Sequence, residues 1–262
     1  MAETAALLGY TGYVGSTLRK QRSFSDLYRS TNAHEIRDRS FDLVVCSAAP
    51  AQKWIANRDP QADLANINTL IGHLATIACQ RFVLISTVDV FANPLGVSEQ
   101  TAVSTAQLHA YGRHRRLLEE FVVAKFPHAT IVRLAGLVGP GLRKNVVYDF
   151  LNDNNVHLID SRGVFQFYPM VNLWSDIATA VSHDLPLVHF TAAPISVADI
   201  ARHGFGFSFD QILTNPPATY DLRTDYAGLF GGQGGYQYNV RETLIAVRAY
   251  AQSEPKTVKV MG

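Results

Sequence analysis

The sequence has few cysteines, almost no net charge and no long apolar run, and each shortage excludes a class of protein. Its 262 residues include two cysteines, Cys46 and Cys79, too few for a disulfide scaffold. The 23 Lys and Arg residues nearly balance the 22 Asp and Glu residues, which argues against broad neutralisation of nucleic-acid phosphates. No apolar run approaches the ~18 residues that a membrane-spanning helix needs. We therefore expect no nucleic-acid partner and no membrane association.

The composition and the first residues narrow the class further. Hydrophobic residues make up 47% and charged residues 17%, which excludes global disorder. The first four residues carry an acid and no basic segment, so we expect no secretory signal and a cytoplasmic protein. No histidine pair with a nearby carboxylate has metal-ligand spacing, so we expect no metal site.

The first half of the chain alternates strand-like and helix-like segments. The predicted strands are residues 5–8, 26–29, 41–47, 81–87 and 129–134. The predicted helices are residues 14–21, 62–79 and 107–126. Strands with nearly continuous apolar runs between helices are typical of a parallel sheet covered on both faces. We therefore predict an α/β protein with a Rossmann doubly wound parallel sheet.

The pattern loosens after Gly136, and a strong breaker follows at Gly139-Pro140-Gly141. We predict a dinucleotide-binding domain over residues 1–140 that is completed by about residues 172–192. Residues 141–171 and 193–262 are then expected to form a small, mostly C-terminal, substrate-binding lobe.

A glycine turn follows the first predicted strand and opens the first helix. It reads Gly9-Tyr10-Thr11-Gly12-Tyr13-Val14-Gly15, a GxxGxxG variant of the dinucleotide fingerprint. The glycines permit a tight turn, close approach of a pyrophosphate and close helix–strand packing, and the helix N-terminus favours the anion. We expect the cofactor to be bound here, the alternative being an ordinary strand-to-helix turn. The predicted contacts are Gly9, Thr11, Gly12, Tyr13, Val14 and Gly15.

The end of the second predicted strand indicates which dinucleotide is bound. A domain that prefers NAD usually has Asp or Glu there to bind the ribose hydroxyls. This sequence has Tyr28-Arg29-Ser30-Thr31-Asn32 instead, with no acid. Arg29 and Ser30 suit a 2′-phosphate, which favours NADP(H) and leaves NAD(H) open. The alternative is that Arg29 is a solvated loop residue.

Three polar residues form a candidate catalytic set. Thr87 closes a buried strand, and the carboxyl ends of parallel strands face the ligand crevice. Tyr111 and Arg115 are four residues apart on the following helix and so share a face. A phenol beside a fixed cation has a lowered pKa and can exchange a proton with a carbonyl or an alcohol.

The order of these motifs resembles the extended short-chain dehydrogenase/reductase family, which contains NAD(P)-dependent epimerases and dehydratases and dTDP-4-dehydrorhamnose reductases. The resemblance extends to about residue 202. The glycine turn looks like the family's opening turn. Tyr111-Gly112 with Arg115 and Glu119 resembles its YGxxK…E helix. The other segments that resemble family motifs are residues 42–49, 84–91, 133–141, 168–176, 188–190 and 196–200.

The resemblance implies roles for individual residues. Tyr111 would be the acid/base, and Thr87 would orient the reacting oxygen. Arg115 replaces the family's lysine, which holds the nicotinamide ribose and lowers the pKa of the tyrosine. Arginine keeps the charge but does not donate a proton. Ser47, Ala48 and Ala49 would lie beside the cofactor, together with the three catalytic residues.

The implied activity is hydride transfer between NAD(P) and a carbonyl or alcohol of a small substrate, for which a sugar derivative is one candidate. The candidate substrate-binding residues are Asp89, Arg133 and Arg143, with loop capping by Asp89 and ordinary surface charge as alternatives. Two other functions stay open: a nucleotide-sugar epimerase or dehydratase, and a regulator that binds NADP without catalysis. The sequence also leaves a homodimer open.

Overall fold

A computed structural model describes residues 3–257, which divide into two compact units. Unit 1 comprises Met1–Pro94, Glu99–Leu134 and Leu173–His189, and unit 2 comprises Leu95–Ser98, Ala135–Asn172 and Phe190–Gly262. The chain thus leaves unit 1 after Leu134, somewhat before the predicted boundary at residue 140. The dinucleotide-binding and substrate-binding roles predicted for the two parts stay predictions.

The strands alternate with helices through most of the chain. In chain order the strands are β1 (Ala5–Leu8), β2 (Asp26–Tyr28), β3 (Ser40–Cys46), β4 (Ala78–Thr87), β5 (Leu95–Val97), β6 (Ala129–Leu134), β7 (Gly136–Val138), β8 (Val164–Phe165), β9 (Phe167–Pro169), β10 (Leu187–Phe190), β11 (Ile195–Ser196) and β12 (Asp221–Leu222). The helices are α1 (Tyr13–Gln21), α2 (Lys53–Arg58), α3 (Pro60–Leu74), α4 (Ala110–Lys125), α5 (Val146–Asn152), α6 (Leu173–Ser182), α7 (Val197–Asp199, continued by a π-helical turn) and α8 (Val240–Ser253).

A six-stranded sheet forms the centre of unit 1. Its strand order is β10-β6-β4-β3-β1-β2, and the pairs from β2 through β1, β3 and β4 to β6 are parallel. Leu8 pairs with Tyr28 on one side and with Cys46 on the other. The chain therefore reverses direction across the sheet between β1 and β3, which is where such sheets bind ligands. This confirms the predicted doubly wound α/β fold.

The core of unit 1 consists of apolar strand residues covered by helices. Phe82 of β4 stacks on Phe126 at 4.3 Å between ring centroids. Leu8, Ile67 and Leu118 are at most 1% exposed. Burial of each such side chain contributes about 1.5–3 kcal/mol relative to exposure.

One predicted helix is too long. The apolar spacing predicts a helix over residues 62–79, but α3 ends at Leu74 and β4 begins at Ala78. Cys79 pairs with Phe41 in the sheet. The apolar residues just before and at the start of β4 happen to keep the helical spacing of α3. The pattern alone therefore does not show where the helix ends and the strand begins.

Unit 2 contains short paired strands and the helices α5, α7 and α8. β8 pairs with β11, β5 with β12 and β7 with β9. The sequence does not reveal that β5 belongs here, because its partner β12 lies more than a hundred residues later. Helix α8 begins with a capping box in which Asn239 and Glu242 satisfy each other's backbone N–H groups. No helix within residues 3–257 is long and apolar enough to cross a membrane.

Candidate active site

The glycine turn closes tightly against the end of β3. Gly9 has φ +83°, and its N–H donates to the Tyr28 carbonyl at 2.8 Å. A Cβ at Gly9 would lie 2.5 Å from the Ser47 carbonyl oxygen, and one at Gly15 would lie 2.1 Å from the Gly9 oxygen. A Cβ at Gly12 would meet only the Gly9 oxygen, at 3.4 Å. Gly9 and Gly15 thus shape the turn, while Gly12 leaves space above it.

Helix α1 begins directly after this turn. Gly12 is its N-cap residue, and no side chain caps the first backbone N–H groups of the helix. Thr11 and Gly12 are exposed. Tyr13 and Val14 form the first half-buried turn of the helix. The N-terminus of α1 therefore presents backbone groups and the positive end of the helix dipole, as the predicted pyrophosphate site requires.

The loop after β2 lies at the same edge of the sheet as the glycine turn, because Tyr28 pairs with Leu8. Arg29 and Ser30 are exposed there. The Arg29 Nε–H donates to Thr31 Oγ1 at 2.9 Å, and the Arg29 backbone N–H donates to Asn32. The acid of this strand, Asp26, lies at its other end.

The predicted small residues after β3 also adjoin the turn. The Ser47 backbone N–H and its hydroxyl both donate to the Leu8 carbonyl at 2.9 Å. Ser47, Ala48 and Ala49 are half-buried. The structure therefore brings the ends of β1, β2 and β3 together, with the residues predicted to bind the cofactor.

Thr87 and Tyr111 form a pair of hydroxyl groups. Thr87 is the last residue of β4, and its Oγ1 accepts the Asp89 N–H at 3.2 Å. The Thr87 hydroxyl lies close enough to the phenol of Tyr111 to act on its pKa, in the lowering direction. The Tyr111 backbone N–H donates to Asn57 Oδ1 on α2 at 3.0 Å, which fixes the start of α4. The structure thus brings together the predicted acid/base and the predicted orienting residue.

Arg115 lies beneath this pair instead of beside it. Its guanidinium carbon is 4.0 Å from the centroid of the Tyr111 ring. Nη1 donates to buried Asp63 and Nη2 to the Pro50 carbonyl, and the side chain is 3% exposed. The arginine therefore ties α3 and the end of the β3 loop to α4. This enclosure gives Arg115 a structural role, and its predicted role as ribose anchor stays a prediction.

The pKa of Tyr111 differs from the sequence prediction. The proximity of Arg115 predicts a lowered value. Burial of the phenol is the largest influence and raises the pKa, and Asp89 raises it too, whereas Arg115, the Thr87 hydrogen bond and Lys53 lower it. The net effect is a raised pKa. Tyr111 is only 8% exposed, so its charged phenolate form would lose hydration.

A lysine and a histidine also adjoin the site, and the sequence reasoning missed both. The Lys53 ammonium lies 2.6 Å from Asp89 Oδ1, and His109 Nε2 lies 3.9 Å from the same oxygen. Asp89 Oδ2 is 3.5 Å from Thr87 Oγ1. Asp89, a candidate substrate-binding residue, is thus paired within the site. Lys53 follows the small-residue segment after β3, and that position was the available signal.

Arg133, a candidate substrate-binding residue, is buried and ion-paired within unit 1, and its role in substrate binding stays a prediction. Arg133 is 2% exposed, and its Nε and Nη2 donate to Glu119 at 3.0 and 2.7 Å. Its Nη1 lies 3.4 Å from His189 Nε2. The Ser86 hydroxyl donates to Glu119 at 2.6 Å. These contacts use three of the five N–H groups of the guanidinium, and they brace β6 against α4.

Arg143 lies in unit 2, on the exposed segment between β7 and α5. Its role in substrate binding stays a prediction. Among the described residues, no group of three or more His, Cys, Asp and Glu side chains is placed to hold a metal ion.

The chain belongs to the NAD dependent epimerase/dehydratase family. The model of that family matches residues 13–156, which is more than half of the chain. The match confirms the predicted family. At the level of the family it also confirms the prediction of an NAD(P)-dependent enzyme. A comparison with curated proteins gave no significant match.

Solved structures share the fold over nearly the whole chain. A dTDP-4-dehydrorhamnose reductase from Clostridium acetobutylicum is 18% identical, with 95% of this chain and 98% of that chain covered and a TM-score of 0.71. RMD from Pseudomonas aeruginosa, complexed with NADPH, is 15% identical, with 96% and 99% covered and a TM-score of 0.71. TunA, a NAD dependent NDP-hexosamine 5,6-dehydratase, is 16% identical, with 97% and 99% covered and a TM-score of 0.72. At these identities the likeness concerns the fold.

Proposed function

We propose that this protein is an NADP(H)-dependent reductase/dehydrogenase that acts on a carbonyl or alcohol of a sugar-derived substrate. The observation that carries the proposal is the Thr87–Tyr111 hydroxyl pair. It lies in the same unit as the glycine turn, and both follow carboxyl ends of strands in one parallel sheet. A proton donor and a dinucleotide site on one sheet edge are what hydride transfer to a carbonyl requires.

The residues of unit 1 fit a dinucleotide. Gly9 and Gly15 have no room for a side chain, and Gly12, the exposed N-cap residue of α1, lies between them. Arg29 and Ser30 stand where a domain that prefers NAD has an acid. The NADPH in the structure of RMD from Pseudomonas aeruginosa supports the choice of NADP(H). Gly12, Arg29 and the residues that follow β3 would hold the cofactor.

The chemistry of the site follows from its two hydroxyl groups. The bound dinucleotide would supply or accept a hydride. Tyr111 would donate its phenolic proton to the carbonyl oxygen, and Thr87 would hydrogen-bond to the same oxygen. A phenol at its ordinary pKa of 10.0 is protonated at neutral pH, as an acid for reduction must be, and burial raises the pKa of Tyr111 further. Arg115 supplies fixed positive charge beneath the ring.

The rival enzymatic function is epimerisation or dehydration of a nucleotide sugar, the chemistry named for TunA. Elimination needs a carboxylate that is able to take up a proton beside the orienting threonine. Asp89 is the carboxylate nearest to Thr87, and it is engaged by Lys53. This pairing favours reduction. A regulator that binds NADP without catalysis is the remaining alternative, and the Arg115 substitution is its support. The predicted homodimer stays a prediction.

The test is product analysis with a substrate panel. The purified chain is incubated with NADPH and with dTDP-4-dehydrorhamnose or simple aldehydes and ketones, and dTDP-glucose serves as the probe for epimerisation and dehydration. We expect NADPH oxidation matched by formation of an alcohol. Conversion of dTDP-glucose without net NADPH consumption supports the epimerase/dehydratase alternative. Binding of NADPH with no conversion of any substrate supports the regulator.

A further inference from the structure

Arg115 is poorly suited to the part that a lysine plays beside a catalytic tyrosine. A guanidinium stays protonated at every physiological pH. Its two terminal nitrogens are held by Asp63 and by the Pro50 carbonyl, and only 3% of the side chain is exposed. Arg115 is therefore held at both terminal nitrogens and almost fully shielded from solvent.

A second cation reaches the same tyrosine from a different element. Lys53 is the first residue of α2, and its ammonium lies 2.6 Å from Asp89 Oδ1. Helix α2 is fixed against the site at a second point, where Asn57 accepts the Tyr111 N–H at 3.0 Å. The Lys53 side chain is 40% exposed, so this cation, unlike Arg115, is in contact with solvent.

Asp89 links Lys53 to the two hydroxyl groups. Its Oδ1 accepts from Lys53, and its Oδ2 lies 3.5 Å from Thr87 Oγ1. Its backbone N–H donates to the same Thr87 oxygen at 3.2 Å. The Thr87 hydroxyl in turn lies near the phenol of Tyr111 and acts on its pKa. The position of the Asp89 carboxylate therefore influences where the Thr87 hydroxyl points.

His109 completes the charged surroundings of Asp89. Its Nδ1 accepts the Gly112 N–H at 3.1 Å, so in the neutral ring the proton is on Nε2, which faces Asp89 Oδ1. The charged and titratable groups around Tyr111 are thus Arg115 of α4, His109 at the N-cap of α4, Lys53 of α2, and Asp89.

We propose that Lys53 is a positioning residue for Tyr111, which acts by neutralising Asp89 and holding it against Thr87. This inference rests on the proposed function, in which Tyr111 is the proton donor. Without Lys53, the Asp89 carboxylate would be an uncompensated negative charge near the phenol, which disfavours the phenolate. The carboxylate would also be free to draw the Thr87 hydroxyl away from the substrate oxygen.

The test compares Lys53→Met, Lys53→Arg, Asp89→Asn and the double variant Lys53→Met/Asp89→Asn. Lys20→Met and Asp184→Asn are controls: Lys20 is exposed on α1, and Asp184 pairs with Arg81 on the surface of unit 1. The first readout is the titration of Tyr111 by nuclear magnetic resonance of protein labelled with carbon-13 at tyrosine Cζ. The Tyr111→Phe variant assigns the signal. The second readout is kcat for carbonyl reduction as a function of pH.

We expect the titration midpoint of Tyr111 to rise in Lys53→Met, to fall in Asp89→Asn, and to return towards the original value in the double variant. Lys53→Arg keeps the charge and should titrate like the unmodified chain. We expect kcat to fall by roughly tenfold to a hundredfold in Lys53→Met, less than the loss from removing an acid outright, and to recover in part in the double variant.

The two hypotheses fail in different ways. If the Tyr111 midpoint is the same in Lys53→Met and in the unmodified chain, the inference about Lys53 is overturned whatever the activity. If the Tyr111 titration midpoints move as expected but neither the unmodified chain nor any variant reduces a carbonyl, the proposed function fails. The coupling of Lys53 to Tyr111 then still stands. A control variant that shifts the midpoint as much as Lys53→Met also overturns the inference.

Discussion

At the scale of single residues, the three glycines of the opening turn are under different constraints. Gly9 has a left-handed φ and, like Gly15, has no room for a Cβ. Gly12 has an ordinary φ of −72° and space for a methyl group. The first two glycines are therefore needed to build the turn, while Gly12 is needed only if a ligand approaches it.

Substitutions at Gly12 separate folding from cofactor binding. Gly12→Asp places bulk and negative charge where the pyrophosphate is expected, so NADPH binding should be lost while the melting temperature changes little. Gly9→Ala is the matched comparison and should lower the melting temperature, because the methyl group meets the Ser47 carbonyl. Calorimetric titration and thermal unfolding measure the two effects. Unchanged NADPH affinity in Gly12→Asp places the cofactor elsewhere.

Arg29 sets the expected preference for NADP(H). Arg29→Ala should reduce the difference in binding free energy between NADPH and NADH by about 1–2 kcal/mol, the scale of a charge-assisted hydrogen bond. Lys20→Ala, which removes an exposed cation from the last turn of α1, should leave the difference unchanged. Equal affinity of the unmodified chain for the two cofactors contradicts the assignment.

At the scale of elements, buried ion pairs tie α4 to its neighbours. Arg115 joins it to Asp63 on α3, and Glu119 joins it to Arg133 on β6. Both pairs are nearly sealed from solvent. Because separating such a pair leaves an uncompensated buried charge, α4 and its neighbours should be disrupted together.

The Arg115–Asp63 pair gives a stability prediction. Arg115→Met should lower the free energy of unfolding by about 3–5 kcal/mol, because the buried Asp63 carboxylate loses its guanidinium partner and keeps only the His114 ring. Arg115→Lys keeps the charge but loses a hydrogen bond, so about 1–1.5 kcal/mol should be lost. The double variant Arg115→Met/Asp63→Leu should recover most of the free energy of unfolding that Arg115→Met loses. Urea unfolding measures all three, and equal stability of Arg115→Met and the unmodified chain refutes the structural role.

The same pair predicts acid sensitivity. Burial raises the pKa of Asp63, but hydrogen bonds and charges from Arg115 and His114 outweigh it, and the net pKa is lowered. The pair's contribution is therefore fully present above the unfolded pKa of about 4 and declines as the pH falls towards the folded value. Stability measured from pH 7 to pH 3 should decline less in Asp63→Asn than in the unmodified chain.

Sequence patterns predicted the elements of unit 1 well where a strand was short and apolar. The strand over residues 129–134 matches β6 in both bounds, and the glycine turn opens α1 as predicted. The pattern failed between α3 and β4, where one apolar periodicity runs into another. It also could not assign β5 to unit 2, because that pairing is formed with a strand far along the chain.

At the scale of the whole molecule, the candidate site was predictable only in part. The motif order gave Thr87 and Tyr111, because both follow from strand–helix alternation. It could not give Lys53, which reaches Asp89 from 36 residues earlier through a fold-dependent contact. It also could not show that Arg115 and Arg133 are buried in ion pairs, since a sequence records charge but not whether a neighbouring carboxylate encloses it.

The measurement that tests the central claim most directly is single-turnover oxidation of bound NADPH by the unmodified, Tyr111→Phe and Thr87→Val chains, with the carbonyl that the panel identifies. The account predicts that Tyr111→Phe binds NADPH normally and oxidises it roughly 10²–10⁴ times more slowly, because only the proton donor is lost. Thr87→Val should fall between Tyr111→Phe and the unmodified chain. Oxidation of NADPH at the unmodified rate by Tyr111→Phe would contradict the account.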